Sequence, residues 1–264
     1  MLGLATNLYV AVGPLVGGLL FVAIGPGAAL LVNAVTFLGS ALLTRAVPPT
    51  PPIEDAEREG LIASAATGMR FVWADKVLRA MAASIFLLIA FIAVDNVALV
   101  FLVRETLEGS ALAYGVIEAV FGIGMLVGSF WILRGRGGNW LATRLYVLAC
   151  SLSTVGSFGG AIAPNVAVLA PFEAVAGAGN AIEIVAMETV VQQRVPRGMI
   201  GRVYGFISSA TSLGLGVAMG VGGLVVDATS PRFAFAVASV GGVLVIGAVA
   251  PTLLRAQPPK PAGG

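Results

Sequence analysis

Histidine is absent from the 264 residues, and cysteine occurs once, at Cys150. Without histidine there is no Ser-His-Asp triad and no Cys/His zinc site, and a single cysteine builds no disulfide framework. No nucleophile–base set or metal-ligating cluster takes their place, so neither an enzyme nor a cofactor site is expected. Cys150 sits mid-span and reads as a small packing residue. Charge is scarce as well: Asp, Glu, Lys and Arg make up 11% of the chain, against about 25% in a typical soluble domain. With 58% hydrophobic residues and a mean hydropathy of +0.98, a water-facing globule would have a largely apolar surface. The net charge of +2 and pI of about 9.0 do not indicate nucleic acid as a partner, because the basic residues are dispersed between apolar runs. A signal peptide opens with positive charge, whereas the first charged residue here is Arg45.

What remains is apolar length. A bilayer core about 30 Å thick takes roughly 20 apolar residues per helix, and the runs between turn residues predict an all-α membrane protein with eight transmembrane helices. They cover residues 4–23, 28–44, 80–103, 111–133, 141–162, 166–190, 203–226 and 233–254. Gly25-Pro26-Gly27 separates the first two. Residues 46–78 form a polar linker, with Pro48, Pro49, Pro51 and Pro52 followed by Glu54, Asp55, Glu57 and Glu59. Within it, Leu61, Ala65, Met69 and Val72 alternate with Arg70 and Asp75 as in a helix lying at the membrane surface. Residues 257–264 are a proline-containing tail.

The basic residues give the orientation. With both termini on one side, thirteen of the 15 Lys and Arg share that side, leaving only Arg104 and Arg232 opposite. The positive-inside rule makes it the cytoplasmic one, in a multi-pass plasma (inner) membrane protein. An internal repeat also emerges at an offset of 205 residues. Gly17-Gly18-Leu19 falls on Gly222-Gly223-Leu224, Ala23 on Ala228 and Pro26 on Pro231; Ala29, Val32 and Val35 fall on Ala234, Val237 and Val240. Duplicated helical halves are common in transporters.

Four motifs carry a family resemblance. Gly13-Pro14-Leu15-Val16-Gly17-Gly18 can be read as ordinary small-residue packing with a proline bend; it is also similar to the G-P-x-x-G-G signature in the fifth helix of exporters of the major facilitator superfamily. Gly128 to Arg136 resembles that family's loop motif G-x-x-x-D-R-x-G-R, with Gly128, Gly135 and Arg136 matching. Ile132 and Leu133 stand where Asp and Arg are expected, so no charge-paired latch is implied at this loop. Gly68-Met69-Arg70-Phe71-Val72-Trp73 and the stretch Val195 to Val203 resemble the subgroup of enterobactin-exporter-like and transmembrane secretion-effector proteins. The resemblance implies two six-helix bundles. Counted against twelve helices, residues 1–45 are the last hairpin of the N-terminal bundle, residues 79–256 the complete C-terminal bundle, and four helices are expected ahead of them.

Ionisable residues at bilayer depth cost several kcal/mol on most scales and mark solute or ion pathways by default. Asp95 and Asn96 lie about two-thirds along the third span, and Glu118 lies at similar depth in the fourth. Tyr114, Glu118, Met125 and Ser129 share one helix face. The sixth span holds Glu173, Asn180, Glu183 and Glu188; Glu173 and Asn180, seven apart, face the same way. These groups can serve as interhelical hydrogen bonds, or as a substrate and proton pathway in which carboxyls take up and release protons. The resemblance implies the second: an efflux antiporter exchanging protons for a small molecule, a drug or a siderophore. An alternative is a non-transporting membrane component that docks partner helices against its hairpin. On its own this chain, with one and a third bundles, is not expected to transport.

Overall fold

The computed structural model describes residues 27–46, 61–134 and 142–256, together with Leu20 and Ile24. Eight α-helices run through these residues: α1 (Gly27–Arg45), α2 (Leu61–Ala74), α3 (Lys76–Phe101), α4 (Ala111–Leu133), α5 (Ala142–Ile162), α6 (Val166–Arg194), α7 (Ile200–Ala228) and α8 (Pro231–Leu254). Six of them (α1 and α4 to α8) are long and apolar enough to cross a membrane. Apart from Leu20, the expected span 4–23, and with it Gly13, Pro14, Gly17 and Gly18, lies outside the described residues, as do Gly135 and Arg136 of the loop motif.

Polar punctuation sets the helix starts. Asp75, in extended conformation, accepts from the backbone N–H groups of Val77 and Leu78 at 2.7 and 3.0 Å and caps α3. Ser110, Asn165 and Ser230 do the same for α4, α6 and α8, each satisfying a backbone donor the helix leaves over. α3 ends in a π-helical turn, Leu102–Thr106. Glu108, with φ of 52°, then helps reverse the chain into α4.

α6 packs on both α4 and α5; α5 also packs on α8, and α3 lies against α7 and α8. Missing side chains make the tightest of these contacts. Any Cβ on Gly177 of α6 would strike the backbone carbonyl of Phe121, and one on Gly124 of α4 would strike that of Ala174. At Gly128 a Cβ would come within 2.6 Å of the Ala178 carbonyl oxygen. The α4 and α6 backbones therefore touch over several turns, which only glycine allows.

Two apolar clusters fill the interior. One gathers Val72, Leu78, Met81, Tyr146, Cys150, Val190, Val203 and Leu253; the other gathers Leu102, Val103, Ile117, Leu169, Ala234 and Phe235. The first cluster includes a residue of α2. α2, the helix expected within the linker, docks on α7: Val72 is fully buried, Trp73 meets Phe206 edge-on at 6.4 Å, and Gly68 admits the backbone of Arg202. α3 accordingly starts three residues before the expected boundary at 79. Arg194, at the end of α6, pairs with the α3 cap residue Asp75 at 3.1 Å. By contrast α1 is 0% buried.

Candidate functional site

Between the two clusters the apolar packing is interrupted by a cavity of about 200 Å³. Five helices line it, each with a stripe at helical spacing. α3 supplies Leu88, Phe91, Asp95, Asn96 and Leu99; α4 supplies Glu118 and Phe121; α5 supplies Cys150, Ser153, Thr154, Gly156 and Ser157. α6 contributes Glu173, Ala176, Asn180 and Glu183, and α8 contributes Phe235, Ala238 and Gly242. Leu88 and Cys150 belong to one core cluster, Leu99 and Phe235 to the other, so the cavity lies between them.

Six of the polar residues singled out from the sequence, Asp95, Asn96, Glu118, Glu173, Asn180 and Glu183, are brought to this one space. Helical phase accounts for it on α6, where positions 173, 176, 180 and 183 fall on one side of the helix. Glu188, further along the same helix, does not line the cavity.

The carboxylates differ in what holds them. One oxygen of Asp95 accepts a hydrogen bond from the Ser157 hydroxyl, while its other, Oδ1, is buried without a partner. Glu118 lies beside the Tyr114 hydroxyl one turn earlier. Glu183 lies beside the Tyr146 hydroxyl, which is 2.9 Å from Ser84 Oγ. Glu173 is only 7% exposed and makes no hydrogen bond or ion pair among the described residues. Ser153 Oγ is also buried and unpartnered. Among the described residues no Lys or Arg lines the cavity.

Sequence reasoning did not single out the hydroxyl stripe of α5 or the aromatic walls. Cys150, Ser153, Thr154 and Ser157 stand at spacings of three, four and seven, a helix-face signal visible in the sequence. Cys150, read as a packing residue, is buried and lines the cavity as well. Gly128 is where the loop motif enters the fold, packed on Ala178.

Apolar helices of membrane-crossing length around a polar, carboxylate-lined cavity define a membrane protein of the transporter class. The sequence profile of the transmembrane secretion effector family matches residues 1–261, and the chain belongs to that family, within the major facilitator superfamily. A search of curated proteins finds no match. Membership of a transporter family rather than an enzyme class agrees with the lack of a nucleophile–base set in the sequence.

Proposed function

We propose that the protein is a secondary active exporter of small molecules that exchanges its solute for protons, with both pathways passing through the cavity between α3, α4, α5, α6 and α8. One observation carries the reading: six polar residues from three helices, four of them carboxylates, converge on a single space inside an otherwise apolar bundle. Groups so costly at bilayer depth are retained where they bind or move something. In the assigned topology α3 to α8 form the C-terminal six-helix bundle, α1 is the last helix of the N-terminal bundle, and both termini face the cytoplasm at the plasma membrane. Helices packed against α1 and the open face of α7 supply the opposing wall, as alternating access between two bundles requires.

The test is proton-driven efflux from the native membrane, where any partner helices are present. Asp95→Asn or Glu118→Gln in the natural protein should reduce efflux by about tenfold or more, the scale of a lost buried charge interaction, with membrane protein level unchanged. Unchanged efflux would reduce both residues to structural roles, and efflux indifferent to collapse of the proton gradient would remove the coupling.

A further inference from the structure

The charge around the cavity is of one sign. Asp95, Glu118, Glu173 and Glu183 approach it from α3, α4 and α6, and among the described residues no basic side chain lines it. Three polar atoms or groups there are left without protein partners. The Glu173 side chain, 7% exposed, makes no hydrogen bond or ion pair among the described residues, and Asp95 Oδ1 and Ser153 Oγ are buried and unsatisfied. Buried acceptors without donors are costly, and a cavity lined by them is complementary to a ligand that brings the donor or the positive charge.

Apart from the two asparagines and the hydroxyls of α5, the remaining wall is apolar and ring-rich, with Leu88, Phe91, Leu99, Phe121 and Phe235. Aromatic faces attract cations as well as apolar groups. The acidic residues are spread around the space: among the described residues no three of them come together as a metal-ligating set. That spacing suits a bulky, diffuse cation over a compact metal ion. At about 200 Å³ the space is below the roughly 300–1,000 Å³ of a drug-sized pocket, so this wall seats one ring and its charged substituent.

Resting on the reading of this cavity as the transport site, we infer that the solute it takes is an organic cation with a ring-bearing apolar body. An anionic solute, such as a catecholate siderophore, would meet like charge on three helices with no compensating base among the described residues.

The experiment compares three ligands of similar size on the full-length protein in detergent, by equilibrium dialysis with empty micelles subtracted: phenyltrimethylammonium, its neutral isostere tert-butylbenzene, and benzenesulfonate. The cation should bind at least about tenfold more tightly than the anion and the neutral isostere, as expected for desolvated charge pairing. Glu173→Gln and Glu118→Gln should each weaken the cation by about tenfold and leave tert-butylbenzene unchanged, while Glu188→Gln, outside the cavity, should change neither. Equal binding of the three ligands, preference for benzenesulfonate, or undiminished cation binding by folded Glu173→Gln protein would overturn the inference. If the variants do not fold, the three-ligand comparison on the natural protein decides alone. Cation preference without proton-driven efflux in native membranes would overturn the exporter reading and keep the cation site. Efflux of another solute without cation preference would do the reverse.

Discussion

α6 and α7 are both 29 residues long, yet the two helices use glycine in opposite ways. On α6, Gly177 meets the backbone of α4, and Gly179 lies where a Cβ would come within 2.7 Å of the Ala149 carbonyl oxygen of α5. On α7, a Cβ added at Gly205, Gly216, Gly220 or Gly223 would meet no described atom within 4 Å. The share of the apolar stretch that is buried follows suit, 39% for α6 and 18% for α7. Small residues thus build a rigid frame in one place and leave a smooth open face in another. The frame is where precision matters, because α6 carries Glu173, Asn180 and Glu183, which line the cavity.

The comparison can be broken most forcefully at Gly177. Valine there faces backbone atoms on α4, which cannot rotate away as a side chain would, so Gly177→Val should cost about 3 kcal/mol or more and lower the unfolding temperature in detergent markedly. Gly220→Ala on α7 should leave stability unchanged or raise it by about 0.5–1 kcal/mol, the ordinary gain of alanine over glycine in a helix. Equal damage from both substitutions would erase the distinction between frame and face.

A smaller effect is expected at the end of α6. Asp75 caps α3 and pairs with Arg194, with its side chain 30% exposed. Asp75→Ala loses cap and pair together, about 1–2 kcal/mol, whereas Asp75→Asn keeps a capping oxygen and should cost less than about 1 kcal/mol. Thermal unfolding of the two variants side by side separates the cap from the charge.

Much of this was legible in the sequence, for a physical reason. The expected span 111–133 coincides with Ala111–Leu133, 141–162 with Ala142–Ile162, and 233–254 with Pro231–Leu254. Long apolar runs satisfy their own backbone in lipid by forming helices, and Ser110, Asn165 and Ser230 mark the starts. α6 and α7 run past their expected ends, to Arg194 and from Ile200, because a helix need not stop where the hydrocarbon does. The ionisable site residues stood out because each is an exception in an apolar run. The walls did not. Phe91 and Phe121 line the cavity, while Phe86 and Phe130, on the same helices, are 59% and 48% exposed; no local property separates them, only the rotation of each helix against its neighbours. The docking of α2 was hidden likewise, since Val72 looks the same on a surface helix as in a core.

The most direct test of the account asks whether a water-borne solute reaches the cavity in the membrane. In a Cys150→Ser background, Ser153→Cys places a thiol on the cavity wall, and Val155→Cys places one on the same helix at a position 45% exposed on the outer surface of the bundle. A cationic methanethiosulfonate reagent added to membranes should modify the first and leave the second unreacted. An inert thiol at 153, or one at 155 that reacts as fast, would contradict the claim that these carboxylates line a solute pathway.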